Sequence, residues 1–377
     1  MKPPRVFVYD TINSRVHQRG ISRYFDHLIS GLVDYFGPNL FVYSPNQRDY
    51  GAAKHVRGLA LQPFRGSSRL GMSSLMRWIN DRNVESLLKT TRFDVIYTSY
   101  YGTLLARIPQ VYAVYDMIHE LFPNYFSKRQ RSNRDFIREK YRCMRHATSL
   151  FAISQSVSSD IRQVYPNIPA DKISITHLGV DQSFFKKSED IGIFESRPYF
   201  LFVGHRFGYK NFSRLITAFG LSNLAATHDL LVVSPVDKEF HPAERMAIRQ
   251  AGIEHAVKLI PAPTENALRD AYAKSVALVY PSEYEGFGLP ILEAMASGTL
   301  VVTSNTSSML EIGNEMAVYF SPTNVEHMAS KLVETANFPS EHRQALVEGG
   351  MKYASTYTWQ ACQNKTIELL LLAAGQK

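Results

Sequence analysis

The sequence predicts an α/β protein built from two Rossmann-like, doubly wound halves, each with six parallel strands. Short β-rich apolar runs alternate with helical patterns almost to the end of the chain, the signature of parallel sheets with crossover helices. A length of 377 residues, 45% hydrophobic and 20% charged, supplies enough apolar surface for two cores. A polar stretch at residues 184–198, with Lys186-Lys187-Ser188-Glu189-Asp190 and then Ser196-Arg197-Pro198, interrupts the pattern midway.

The first strand is Arg5-Val6-Phe7-Val8-Tyr9-Asp10, aliphatic and aromatic throughout. An amphipathic helix follows, with Phe25, Leu28, Leu32 and Tyr35 on one face. Further strands are expected at residues 40–44, 93–99, 111–116, 149–153 and 173–177. Beyond the seam they recur at 199–204, 229–234, 257–261, 276–280, 299–303 and 317–320. The expected domains are residues 1–187 and 188–358, and residues 359–374 form a last helix whose destination the periodicity does not give. Doubly wound halves that face one another put ligands in the cleft at the carboxyl ends of their strands, so the loops after strands are the ones to inspect.

Composition excludes several classes. Cys143 and Cys362 are too few for a disulfide framework and lack partners at zinc spacing, so a reduced cytoplasmic setting is the default. Met1-Lys2-Pro3-Pro4 runs straight into the first strand with no signal-peptide apolar region, and the longest apolar run, residues 369–374, is too short to span a bilayer. Residues 1–187 hold 27 Lys and Arg against 14 Asp and Glu, while residues 188–377 hold 15 against 20. A basic first half suggests an anionic partner. Its densest stretch, residues 127–145, reads as a basic amphipathic helix with Ile137, Tyr141, Met144 and Thr148 on the inner face. Such a helix is either a solvated cover for the core or a membrane-surface contact through Lys128, Arg129, Arg131 and Arg134. A nucleic-acid partner is disfavoured, because no recognition motif accompanies the charge and the second half is acidic. Neither G-x-G-x-x-G after the first strand nor G-x-x-x-x-G-K-S/T occurs, which argues against dehydrogenases and P-loop enzymes.

Three loops carry candidate chemistry. After residue 280 comes Pro281-Ser282-Glu283-Tyr284-Glu285-Gly286-Phe287-Gly288-Leu289-Pro290, then a helical run to Ser297. Pro290 suits the first helical position, with Glu293 in the first turn and Glu285 in the loop before it. Glycines beside a helix start admit an anion, and two carboxylates can accept the hydroxyls of a polyol; an ordinary glycine turn accounts for the same residues. The second loop, Gly204-His205-Arg206-Phe207-Gly208-Tyr209-Lys210-Asn211, sets Arg206 and Lys210 four apart, where they clamp a diphosphate or stand solvated; Asn211 suits a helix cap. The third, Gln18-Arg19-Gly20-Ile21-Ser22-Arg23-Tyr24, offers Gly20 for a close backbone approach to phosphate and is weak on its own.

The string Glu285-Gly286-Phe287-Gly288-Leu289-Pro290-Ile291-Leu292-Glu293, with Gly298 and Val301-Val302 beyond it, resembles the E-x7-E signature of family 4 retaining glycosyltransferases. Gly20-Ile21-Ser22-Arg23-Tyr24, Ala152-Ile153-Ser154 with Asp160, Leu178-Gly179-Val180-Asp181, Arg206 with Lys210, and Ser307 to Glu311 are similar to further motifs in the family's order. The resemblance implies a GT-B fold whose second domain grips a nucleotide-diphospho-sugar while the first presents the acceptor, with the last helix returning to the first domain. It implies that Arg206 and Lys210 hold the diphosphate, Glu293 the ribose, and Glu285 the transferred sugar, with Gly20, Gly286, Phe287, Gly288 and Leu289 lining the donor. One departure stands out: Val114-Tyr115-Asp116-Met117-Ile118-His119-Glu120 has tyrosine where many members carry histidine before the aspartate. Asp116 keeps its position to contact donor sugar or acceptor, and His119 either contacts the acceptor or caps a loop.

These readings together imply a hexosyltransferase that needs no metal or other cofactor, because Arg206, Lys210 and a helix start stabilise the leaving diphosphate. The expected donor is GDP-mannose, with a UDP-sugar second. The expected acceptor is a glycan or polyprenyl-linked glycan of cell-surface polysaccharide or lipopolysaccharide, which places the enzyme in the cytoplasm, peripheral at the inner membrane face. Lys210→Ala is expected to lower turnover with little change in fold. A GT-B epimerase or phosphorylase and a non-catalytic nucleotide-binding partner are the alternatives; Tyr115 is the best support for the last of these.

Overall fold

The computed structural model describes residues 3–10, 20–43, 82, 84–99, 104, 106–187, 197–234 and 237–375, without the side chains of 20–22 and 127–132. Gln18, Arg19, the side chains of Lys128, Arg129 and Arg131, and most of the expected seam lie outside the described residues. The chain forms two compact units, residues 1–179 with 359–377, and residues 180–358.

The first unit carries β1 (Val6–Tyr9), β2 (Leu40–Tyr43), β3 (Val95–Thr98), β4 (Gln110–Val114), β5 (Ser149–Ala152) and β6 (Ile173–Ile175). All are parallel, in the order β2-β1-β3-β4-β5-β6. Every residue of β1 to β4 is buried, which is why these strands read as continuous apolar runs rather than alternating ones. Helix Gly20–Phe36 buries Tyr24, Phe25, Leu28 and Leu32, but Tyr35 is 52% exposed and Phe36 takes the inward place. The 100° step per residue has carried position 35 off the face by the third turn.

Helix Trp359–Ala373 belongs to this unit and packs on Gly20–Phe36. The indole of Trp359 stacks on the His27 ring at 4.4 Å, and Gln363 Nε2 donates to the His27 carbonyl at 2.7 Å. A Cβ at Gly31 would run into the Gln363 side chain, so a glycine is what lets the two helices approach there. Helix Gln130–His146 turns Arg134, Arg138, Arg142 and Arg145 outward. Its other face departs from the expected one. Thr148 lies beyond the helix and is exposed, while Lys140 is fully buried beside Cys143 and Met144.

The second unit carries β7 (Tyr199–Val203), β8 (Asp229–Ser234), β9 (Val257–Pro261), β10 (Ala277–Tyr280), β11 (Leu300–Ser304) and β12 (Ala317–Phe320). Their order is β12-β11-β10-β7-β8-β9, again all parallel. Strand order reverses between β7 and β10, so the loops leaving those two neighbours part to opposite faces and leave a crevice at their carboxyl ends. Phe200, Phe202, Leu215, Ile216, Leu230 and Val279 are among the side chains that fill the core beneath them. Among the described residues, no helix is long and apolar enough to cross a membrane.

Candidate active site

The loop after β7 and the loop after β10 meet at the switch point of the second unit. Glu283 N–H donates to the Tyr209 carbonyl at 2.8 Å, and Asn211 Nδ2 donates to the carbonyls of Pro281 (3.0 Å) and Pro322 (2.7 Å). Asn211 stands before helix Phe212–Leu221, but with a left-handed φ of 60° it makes no side-chain cap. Its amide ties loops together instead. These ties bring Lys210 Nζ to 2.6 Å from Glu285 Oε1, with both side chains almost enclosed. Burial pulls the Lys210 ammonium towards neutrality, but the Glu285 carboxylate, with the Tyr280 and Tyr209 hydroxyls, outweighs this and holds its pKa well above the usual lysine value. Burial first, and then the Glu285 charge, raises the Tyr280 hydroxyl well above its ordinary range.

Arg206 is placed differently from Lys210. Its Nε lies 3.0 and 3.1 Å from the two Glu244 carboxylate oxygens, and Nη2 donates to the Glu239 carbonyl at 2.8 Å. Its guanidinium also lies over the rings of Phe240 and Phe212, at 5.2 and 5.9 Å. Nη1 is buried without a hydrogen-bond acceptor, 3.5 Å from Asp237.

Helix Leu289–Ala296 begins one residue earlier than expected. Gly288 precedes it at φ 107°, ψ 46°, a conformation that L side chains rarely adopt, and Pro290 is the second helical residue. Glu293 therefore falls past the first turn, buried, accepting from Tyr272 Oη at 2.9 Å. Phe287 is buried against Tyr357. The backbone of Glu285 is gripped by the loop after β11: its N–H donates to Ser307 Oγ (3.2 Å), and its carbonyl accepts from Ser307 Oγ (2.5 Å) and Ser308 Oγ (2.9 Å).

In the first unit, Asp116 follows β4 and keeps its carboxylate partly exposed, Oδ1 accepting from Ile118 N–H at 3.2 Å. Tyr115, the departure from the family pattern, is a core residue whose hydroxyl donates to the Ser99 carbonyl at 2.6 Å. His119 stacks on Phe126 (4.0 Å) and lies tilted against Phe136 (4.5 Å), with Nδ1 2.5 Å from Asn133 Oδ1. Lys140 donates to the Asp116 carbonyl at 2.5 Å and pairs with Glu120 at 2.9 Å. Sequence reasoning missed Lys140, Tyr280 and Tyr272, since nothing local ties them to a site. Gly20 is the first residue of helix Gly20–Phe36. Among the described residues, no three His, Cys, Asp or Glu side chains form a cluster able to hold a metal ion.

Two parallel six-stranded α/β units, one with a paired cation and carboxylate at its switch point, define a GT-B protein. The structure of Anabaena Alr3699/HepE in complex with UDP and glucose is similar to this chain with a TM-score of 0.74 at 16% identity, over 97% of this chain and 99% of that one. The chain belongs to the family 4 glycosyltransferases: Glycosyltransferase Family 4 matches residues 18–184 and Glycosyl transferases group 1 matches residues 183–353. O-antigen chain mannosyltransferase B of Escherichia coli is 25% identical over 229 residues, covering 59% of this chain and 60% of the relative. O-antigen chain mannosyltransferase RfbU of Salmonella typhimurium is 26% identical over 228 residues, with the same shares. The chain thus spans about 60% of the length of these curated relatives.

Proposed function

We propose that the protein is a retaining hexosyltransferase that takes its sugar from a nucleotide-diphospho-sugar. GDP-mannose is the first choice of donor, supported by the O-antigen mannosyltransferase relatives, and a UDP-sugar is the second. The acceptor is a glycan or polyprenyl-linked glycan of cell-surface polysaccharide or lipopolysaccharide assembly. The observation that carries the reading is the Lys210–Glu285 pair at the β7/β10 switch point, 2.6 Å apart.

Glycosyl transfer builds positive charge on the anomeric carbon and negative charge on the departing diphosphate. Lys210, held charged by Glu285, supplies a fixed cation for the diphosphate, and the start of helix Leu289–Ala296 adds N–H donors. Glu285 takes the hydroxyls of the transferred sugar and Glu293 those of the ribose, while Gly286, Phe287, Gly288 and Leu289 shape the wall beside them. Arg206 anchors the loop that carries Lys210 and adds its positive charge to the diphosphate end of the site, with Nη1 buried beside Asp237. In the first unit, Asp116 receives donor sugar or acceptor, His119 stands near it as a second polar contact, and Gly20 allows a close phosphate approach. Arg134, Arg138, Arg142 and Arg145, outward on helix Gln130–His146, meet an anionic membrane surface, and Lys128, Arg129 and Arg131 add positive charge to the same stretch of sequence.

A thermal-shift panel of GDP, UDP, ADP and dTDP, with and without EDTA, tests the reading. A nucleotide at a hundred times its Kd adds about 2.7 kcal/mol of stability. A shift by GDP that survives EDTA is the expected result; a shift by UDP alone moves the donor to the second choice, and none with any of the four overturns the reading.

A further inference from the structure

Ser307 combines strain with grip. Its φ of 54° and ψ of −146° lie in a region that essentially only glycine occupies at low cost, yet the position carries a serine in the loop between β11 and helix Ser308–Gly313. A strained residue persists where its surroundings hold it there, and the Ser307 hydroxyl makes two bonds to one neighbour. It accepts from Glu285 N–H at 3.2 Å and donates to the Glu285 carbonyl at 2.5 Å. Ser308 shares only the carbonyl, at 2.9 Å, so Ser307 is the side chain that holds the amide. Glu285 opens the glycine-flanked loop Glu285-Gly286-Phe287-Gly288. Its carboxylate is fixed at one end by Lys210, and its main chain at the other by Ser307.

We infer that Ser307 is a positioning residue, whose hydroxyl sets the backbone of Glu285 so that the carboxylate stays aimed beside Lys210. The inference deepens the reading of Glu285 as the sugar-binding carboxylate and rests on it for its kinetic consequence, though not for its geometric one. Ser307→Ala removes the hydroxyl and keeps the strain, whereas Ser307→Gly removes both. Stability and positioning therefore separate.

The experiment compares the parent, Ser307→Ala, Ser307→Gly and Ser308→Ala in three readouts. In hydrogen exchange, the Glu285 amide opens about tenfold faster in both Ser307 variants and stays protected in Ser308→Ala. In thermal melting, Ser307→Gly lies above Ser307→Ala, because strain is relieved only in the former. In turnover with GDP-mannose and with UDP-glucose as donors, both Ser307 variants lose about tenfold in kcat, by displacing the sugar-binding group. Parent-like amide protection in Ser307→Ala overturns the inference, as does a kcat in Ser307→Gly restored to the parent's, which would assign the effect to strain. If the parent turns over neither donor, the functional reading fails, and the exchange measurement still decides the positioning.

Discussion

Arg206 turns its guanidinium onto Glu244, with Nε 3.0 and 3.1 Å from the two carboxylate oxygens, in a pocket where its side chain is 1% exposed. Glu244 also accepts from His241 N–H at 2.8 Å, so the pair fastens the loop after β7 to the start of helix Pro242–Gln250. An arginine so enclosed contributes to folding before it contributes to ligand binding.

Arg206→Met strands Glu244 and Asp237 without their counter-charge. Breaking a buried pair by removing one partner costs about 3 kcal/mol or more, roughly 6–12 °C in Tm for a unit of this size. Adding Glu244→Gln, which keeps an acceptor for His241, should return part of that loss. Melting curves of the single and double variants check it; a parent-like Tm with lost turnover would make Arg206 a ligand contact alone.

Lys210→Ala should lower kcat about 10²–10³-fold, the range for removing one preorganised group facing developing negative charge. The ion pair adds a stability cost to the lost turnover. With Lys210 15% and Glu285 12% exposed, the variant leaves a carboxylate largely buried and unpaired, at a cost of about 2 kcal/mol. Steady-state kinetics and a melting curve on the same preparation measure both, and an unchanged kcat would remove Lys210 from the diphosphate site.

Strands β1 to β5, β7, β8, β10 and β11 were legible because burial leaves near-continuous runs of Val, Ile, Leu and aromatic residues, a local signal that the half-exposed edge strands β6, β9 and β12 carry more weakly. The loops of the site were legible for the same reason: Glu285-Gly286-Phe287-Gly288 and Gly204 to Asn211 punctuate those runs. What the chain does not reveal locally is pairing across distance. Lys210 and Glu285 are 75 residues apart and meet only because β7 and β10 are neighbours at the switch point. Lys140 reads as one more exposed cation until Glu120, 20 residues away, is seen to draw it inside. Pro290 suggested a helix start, and the chain placed it second because Gly288 can take the turn that lets Leu289 go first.

The arginines outward on helix Gln130–His146 should bind vesicles rich in anionic lipid and release them as salt rises. Their carboxylate neighbours compete little, since Arg138–Asp135 at 3.9 Å and Arg142–Glu139 at 3.7 Å are surface pairs. At about 1 kcal/mol per residue, Arg134→Ser, Arg138→Ser and Arg142→Ser together weaken partitioning about 100-fold. Sedimentation with phosphatidylglycerol vesicles and with neutral ones checks it, and equal binding to both would set the membrane reading aside.

Both cysteines should be silent to thiol reagents in the native protein. Cys143 and Cys362 are buried, and burial pushes the Cys362 thiol up to about 12. At pH 8 the native chain gives no colour with a disulfide reagent, while the chain unfolded in guanidinium gives two equivalents. Rapid labelling of Cys362 in the native chain would mean that helix Trp359–Ala373 leaves its seat on Gly20–Phe36.

Stability should be level through neutral pH and fall on the alkaline side. Burial, the largest cause in each case, holds the hydroxyls of Tyr24, Tyr97 and Tyr112 above their usual range, and it does the same for the Cys362 thiol. Lys210 also titrates above its usual value, through Glu285, although burial opposes that shift. A raised folded-state pKa means that the folded chain keeps protons the unfolded chain has lost. The stability tied to these groups is therefore complete below their unfolded values, about 8.5 for cysteine and about 10 for tyrosine and lysine, and is lost as pH rises beyond them. Each proton so retained costs about 1.4 kcal/mol per pH unit. Cysteine sets a shallow decline from about pH 9, and the buried tyrosines join above about pH 10 and steepen it. Denaturant melts at half-unit steps from pH 6 to 11 trace the curve. A rise in stability between pH 9 and 11 would contradict the burial of these hydroxyls, since only groups that ionise more readily in the folded chain produce that slope.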